Sequence, residues 1–185
     1  MNSKNLTIEG IYLFKPKRFE DKRGMFFETF NESRLNFEGI KVKFKQDNFS
    51  RSKKNVLRGL HFCKLRPQAQ LVTILKGKIL DVLVDLRFNS KTFGNWISFE
   101  LSDDSTSQIY MEKGFAHGFY VISDYVDMHY KVSEIYDPKD DHGIIWNDPD
   151  LDIDWQCDDP ILSEKDKGLP PFKDIKLFKD INIYD

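Results

Sequence analysis

In the stretch Val56-Leu57-Arg58-Gly59-Leu60-His61-Phe62 a guanidinium, a glycine and an imidazole stand close together on what reads as a β-strand, and Gln70 follows nine residues after the histidine. Apolar neighbours flank both Arg58 and His61, so both side chains are expected to point into something rather than away from it. An imidazole changes charge near neutral pH and can accept a proton, so His61 reads as a general base at the bottom of a β-barrel. Tyr130, in a second strand-like run, is a phenol that could return a proton on the other side of a substrate. Together they suit proton abstraction next to a carbonyl, which also needs a donor to steady the developing enolate oxygen. The residue types alone leave other readings open. His61 could be a structural histidine with satisfied hydrogen bonds, Tyr130 a core phenol, and Arg58 the partner of Asp81 or Asp85. A metal is the rival use of histidines in such a barrel. However, metal-binding barrels of this kind pair two histidines one residue apart with a nearby Glu, and neither His61-Phe62-Cys63 nor His117-Gly118-Phe119 has that spacing.

The elements that must position these groups are mostly strands. The chain has 185 residues, 40% hydrophobic and 31% charged, which suits one globular domain over residues 1–185. Sixteen Phe and seven Tyr favour strands over helices. A formal net charge of −2 with both signs interspersed gives no sign of a nucleic-acid partner, while leaving room for a local basic pocket for phosphate. No apolar run approaches the ~18 residues of a membrane helix. Cys63 and Cys157 make no CxxC and, with no signal peptide, read as free thiols in a reducing cytoplasm.

Residues 10–14 read as a first strand stopped by Pro16, and residues 21–24 as a turn with Gly24 at positive φ. A short helix is expected over 31–39, capped by Asn31 and ended by Gly39. Residues 42–50 alternate loosely, and 51–55 read as a basic turn. Beyond Val56 the pattern is all-β, with strands at 70–75, 79–86, 96–101, 108–111, 116–122 and 126–132. Lys76-Gly77-Lys78 reads as a tight hairpin. In 79–86, Leu80, Val82, Val84 and Leu86 share one face and Ile79, Asp81, Leu83 and Asp85 the other. Short strands at this spacing indicate a sandwich or barrel. Ser163-Glu164-Lys165-Asp166 starts a short helix.

Several ordered motifs carry a family resemblance. They are Phe44-Lys45-Gln46-Asp47-Asn48-Phe49-Ser50, the Val56–Phe62 stretch, Pro67-Gln68-Ala69, Gly77…Asp81-Val82…Val84-Asp85-Leu86-Arg87, and Ser90-Lys91-Thr92-Phe93-Gly94-Asn95-Trp96. Gly114-Phe115-Ala116-His117-Gly118-Phe119, Trp146-Asn147-Asp148-Pro149…Ile153-Asp154-Trp155 and Ile161-Leu162-Ser163-Glu164-Lys165-Asp166 follow. Over roughly residues 8 to 172 the chain resembles the dTDP-4-dehydrorhamnose 3,5-epimerase family. The resemblance implies a mainly β, cupin-type double-stranded β-helix (a jelly roll) with a few short helices, needing neither metal nor cofactor. It implies a homodimer whose N-terminal strands exchange and complete the neighbour's site, and a nucleotide-diphosphate sugar as substrate. The implied reaction inverts C3 and C5 of a 4-keto-6-deoxyhexose. By position, His61 matches the base, Asp166 the carboxylate that orients it, and Tyr130 the proton donor. Arg23, Phe26 and Glu28 match positions that hold the nucleotide, contributed by the partner. Gln46, Asp47, Asn48 and Arg58 match nucleotide and diphosphate contacts, and His117, Asp141 and Lys165 further substrate contacts.

Two positions depart from the family pattern. Asp141 stands where the family usually has Glu, one methylene longer. Gln70 stands where the family usually has a Lys thought to stabilise the enolate oxygen. An amide can donate an N–H there, but without the charge that makes such bonds roughly twice as strong. This keeps open a C3-only or C3/C5 epimerase of a GDP- or CDP-linked 4-keto sugar or heptose and, in another class, a non-catalytic sugar-nucleotide-binding cupin.

Overall fold

The computed structural model describes residues 4–5 and 8–175. Its strands in chain order are β1 (Lys4–Asn5), β2 (Ile11–Phe14), β3 (Arg18–Asp21), β4 (Gly24–Phe27), β5 (Gln46–Lys53), β6 (Leu57–Cys63), β7 (Gln70–Lys76), β8 (Lys78–Asp85), β9 (Trp96–Ser102), β10 (Gln108–Met111), β11 (Phe115–Val121), β12 (Tyr125–Val132) and β13 (Asp141–Gly143), with short helices α1 (Glu32–Phe37) and α2 (Glu164–Lys167). Two antiparallel sheets face each other, one ordered β1-β2-β10-β7-β12-β5 and the other β13-β6-β11-β8-β9. From β5 to β8 each successive strand crosses to the opposite sheet, β8 and β9 pair as neighbours, and the crossing resumes to β13. This winding is the jelly roll that the family resemblance implies.

The inner faces bury one core, in which Val72, Ile74, Ile109 and Met128 meet Ile79, Leu83, Phe119 and Val121. The second sheet is apolar on its outer face too. There Leu80, Val82, Val84 and Leu86 pack under Ile144, Leu151 and Trp155 of the C-terminal segment. The two faces read from residues 79–86 are therefore both buried, as a strand covered on both sides requires. Indole hydrogen bonds pin the segment down, Trp96 Nε1 to the Leu151 carbonyl at 2.8 Å and Trp155 Nε1 to the Trp146 carbonyl at 2.7 Å. Helix α1 covers the outer face of the first sheet with Leu35 against Leu71 and Tyr110. Asn31 caps it as expected, its side chain accepting from the Ser33 N–H at 3.1 Å.

Two local expectations are corrected. Lys76-Gly77-Lys78 is not a hairpin, because β7 and β8 lie in opposite sheets and Gly77 is the corner between them. Gly77 has φ +89°, and a Cβ there would lie 2.1 Å from the Tyr125 carbonyl oxygen. Residues 51–55 are not all turn, since β5 runs on to Lys53 before Asn55 turns at φ +64°. Arg51 and Lys53 continue the outward half of an alternation whose inward half is Asn48, Ser50 and Ser52.

Candidate active site

Strict alternation along β6 would send Arg58 and His61, three residues apart, to opposite faces of the sheet. Both nevertheless line one cavity. The cause is a bulge: His61 stands opposite His117 and Arg58 opposite Phe119, so three steps on β6 match two on β11. Gly59 takes up the extra residue at φ +119°, and a Cβ there would meet Gly118 Cα at 2.6 Å and the His117 carbonyl oxygen at 2.8 Å. Glycine is thus required both by conformation and by the close backbone approach.

His61 Nε2 lies 2.6 Å from Asp166 Oδ1. Asp166 is buried on α2, where the Ser163 hydroxyl oxygen caps the helix by accepting from the Asp166 N–H at 3.1 Å. The C-terminal segment is stitched to the start of β6 by Leu57 N–H to the Ile161 carbonyl at 3.0 Å and Ile161 N–H to the Asn55 carbonyl at 2.7 Å, which fixes where α2 lies. Burial pushes the Asp166 carboxyl up, but the hydrogen bond and charge of His61, with Ser163 and Lys165, outweigh it and hold it below its ordinary value. An ionised carboxylate only accepts, so Nε2 carries the hydrogen, and in the neutral ring the lone pair is on Nδ1.

Tyr130 enters the same cavity from β12, in the opposite sheet. Burial raises its phenol above the ordinary value; Arg58 opposes the shift and Asp141 adds to it, so the hydroxyl keeps its proton at neutral pH. An imidazole and a protonated phenol therefore line one space from two sheets, an arrangement that can take a proton on one side and give one on the other.

Around them stand Asn48, Arg58, Gln70, His117 and Asp141. Arg58 Nε donates to the Ser52 hydroxyl at 3.0 Å, and neither Asp81 nor Asp85 is its partner. His117 spends both ring nitrogens, Nε2 at 2.8 Å from Asp81 Oδ2 and Nδ1 at 3.2 Å from Gln70 Oε1. Asp141 pairs with Lys165 Nζ at 2.5 Å and accepts from the Tyr136 hydroxyl at 3.0 Å. Gln46 is at the margin, bonded to Asn48 and to the Tyr136 backbone.

Four candidates lie away from the cavity in the single chain. Asp47 alternates to the outer side of β5, where it holds Lys131 Nζ at 2.6 Å. Arg23 and Phe26 sit on the exposed β3–β4 hairpin, Arg23 paired with Asp21, and Glu28 just beyond it pairs with Arg34. Lining residues to which the sequence reading gave no role include Ser50, Cys63, Gln68, Phe115, Phe119, Met128 and Tyr136. Alternation with Asn48 and Tyr130 would have found Ser50 and Met128. Cys63 is no nucleophile, because burial, with Asp140 and Asp141 nearby, pushes its thiol up to about 12. Among the described residues no group of three or more His, Cys, Asp or Glu side chains is arranged to hold a metal, and no helix is long and apolar enough to cross a membrane.

The cavity measures about 220 Å³. That is below the roughly 300–1,000 Å³ of sites that enclose a whole drug-sized ligand, so it suits one sugar ring better than a full nucleotide sugar.

Comparison with known proteins points to one family. The family profile described as dTDP-4-dehydrorhamnose 3,5-epimerase matches residues 5–174. A protein of that name from Methanothermobacter thermautotrophicus is 45% identical, covering 93% of this chain and 95% of its own. The crystal structure of a Legionella pneumophila dTDP-6-deoxy-D-glucose-3,5-epimerase in complex with dTDP-4-keto-L-rhamnose superposes with TM-score 0.91 at 42% identity, covering 94% of both chains. A 3'-monoepimerase from Streptomyces bikiniensis, in complex with dTDP-quinovose, superposes with TM-score 0.84 at 32% identity, over 90% of this chain and 85% of its own.

Proposed function

Since the chain belongs to the dTDP-4-dehydrorhamnose 3,5-epimerase family, we propose that it converts dTDP-4-keto-6-deoxy-D-glucose to dTDP-4-keto-L-rhamnose, with His61 as base, Asp166 as its orienting carboxylate and Tyr130 as acid. The observation that carries this reading is the His61–Asp166 bond on one sheet facing Tyr130 on the other across a single cavity. The C4 ketone acidifies the hydrogens at C3 and C5. His61 Nδ1 takes one of them, the electron pair moves onto the C4 oxygen as an enolate, and Asp166 stabilises the imidazolium that forms. Tyr130 gives its proton to the opposite face of the same carbon, which inverts it. Solvent then restores His61 and Tyr130 for the second carbon. The step is redox-neutral and asks for no cofactor. Arg58 and Asn48 would meet the phosphate and ribose side of the substrate at the cavity mouth. Two unpaired cysteines accord with a cytoplasmic enzyme.

The same reading makes the enzyme a single-domain homodimer. The β3–β4 hairpin is exposed almost throughout, with Phe19 51% and Phe26 65% accessible, and among the described residues Arg18 Nη1 donates from it to the Asp104 carbonyl at 3.1 Å. An aromatic arm of this kind fits a second copy, whose cavity mouth would receive Arg23, Phe26 and Glu28 beside the nucleotide. Mixed dimers of His61→Ala and Arg23→Ala/Phe26→Ala subunits should then recover about a quarter of wild-type activity, one intact site in half of the dimers. No recovery would remove the exchange.

The substrate is tested in deuterated buffer. With dTDP-4-keto-6-deoxyglucose, deuterium is expected at both C3 and C5. Entry at C3 alone would make the chain a monoepimerase like the Streptomyces relative. Exchange only with a GDP- or CDP-linked sugar would reassign the nucleotide, and no exchange with any of them would make it a binding module.

A further inference from the structure

The chain has seven arginines, and six of them are paired with a carboxylate, as Arg51 is with Asp127 and Arg87 with Asp85. Arg58 is the exception. Among the described residues no carboxylate lies within ion-pair distance of it, and its one hydrogen bond goes to a neutral group, from Nε to the Ser52 hydroxyl at 3.0 Å. A guanidinium has no acceptor, so the serine oxygen is the acceptor.

The bond joins the two sheets. Ser52 lies on β5, at the edge of the first sheet, and Arg58 on β6 in the second. Ser52 points inward by the same alternation as Asn48 and Ser50, stands opposite Val126 of β12, and is only 4% exposed. Arg58 is exposed where it lines the cavity. The buried serine is thus the fixed end of the bond, and the exposed guanidinium the end that needs fixing. A guanidinium can meet an anion through its Nε–Nη side or through its Nη–Nη end. With Nε taken by Ser52 the Nη–Nη end remains, and neither Nη has a partner among the described residues. A carboxylate in the place of Ser52 would hold the same nitrogen but cancel the charge that a diphosphate needs. A hydroxyl holds the nitrogen and leaves the charge whole.

We propose that Ser52 is a positioning residue, which holds Arg58 with its Nη–Nη end facing the diphosphate of the ligand. The proposal rests on the reading of the ligand as a nucleotide-diphosphate sugar and adds how the cation that meets it is oriented. Holding the guanidinium in place beforehand removes an ordering cost that binding would otherwise meet.

The test measures binding of dTDP, GDP and CDP by titration calorimetry, with no sugar present. Ser52→Ala is expected to weaken whichever diphosphate the wild type binds by roughly 2- to 13-fold, the factor for one long side chain left to be ordered on binding. With saturating sugar nucleotide kcat should hold, as for an interaction equal in ground and transition states. In an Arg58→Met background the same serine change should have no further effect, because Ser52 then has nothing to hold. Wild-type affinity in Ser52→Ala would overturn the proposal, and so would a loss that adds to that of Arg58→Met. A second readout needs only the wild type. In protein labelled with ¹⁵N-arginine, the Arg58 Nε–H signal is assigned by its loss in Arg58→Met, and its exchange with water should be slower than in free arginine. Exchange as fast as in free arginine would overturn the proposal. A wild type that binds none of the three diphosphates would overturn it too. If one of them binds but no deuterium enters any 4-keto sugar, the epimerase reading fails while the titrations still judge Ser52.

Discussion

Replacing Gly59 by alanine strikes at the bulge that turns Arg58 and His61 to the same side. At φ +119° an L-residue is strained, which costs about 1–3 kcal/mol. The new methyl would also stand 2.6 Å from Gly118 Cα and 2.8 Å from the His117 carbonyl oxygen, both backbone atoms that no side-chain rotation can clear. Forcing the strands apart adds roughly 1–3 kcal/mol more, as overpacking does elsewhere. The sum is roughly 2–6 kcal/mol, which at ~2–4 °C per kcal/mol for a chain of this size lowers Tm by at least ~4 °C. The displaced strand also moves His61, and an error near 1 Å costs about 10²-fold in rate. Thermal unfolding followed by tyrosine and tryptophan fluorescence reads the first effect, and deuterium entry into a 4-keto sugar the second. Gly24→Ala is the control, because a Cβ there meets nothing within 4 Å although φ is +125°. If Gly59→Ala melted with the wild type and exchanged at the same rate, the bulge would not be what places the base.

Tyr130→Phe leaves the base in place and removes the acid. Deuterium should still wash into the substrate while inversion falls about 10²–10⁴-fold, a split that NMR of the sugar resolves; equal loss of both would give Tyr130 another role. Asp166→Asn removes the charge behind His61 and should lower kcat by a similar ~10²–10⁴-fold. It should also change acid stability. The Asp166 carboxyl lies below its ordinary 3.8 in the folded chain. Its ionised form therefore adds stability above that pH and loses it as pH falls through the lower folded value. Acid titration of the asparagine variant should accordingly show a shallower loss below about pH 3.8, and an unchanged acid limb would mean the pair contributes nothing to folding.

The sequence was most legible where one residue's surroundings decide its place. The two apolar faces of residues 79–86 pack into two different cores, Asn31 and Ser163 cap the helices that their types suit, and the family motifs pointed to the groups that line the cavity. It was least legible where two structures ask for the same residue. A hairpin and a sheet-to-sheet corner both want a glycine at positive φ, so Gly77 could not say that β7 and β8 part company. Alternation gives Arg58 and His61 opposite faces; only the pairing with β11 reveals the bulge. Likewise nothing local to Gln70 or His117 shows that both ring nitrogens of His117 are taken, because Asp81, His117 and Gln70 come from three strands in two sheets.

The central claim is that one histidine starts the proton transfer at both carbons. His61→Ala, incubated in deuterated buffer with dTDP-4-keto-6-deoxyglucose at saturating concentration, should bind the sugar nucleotide and place no deuterium at C3 or C5. Deuterium at either carbon at the wild-type rate would contradict it.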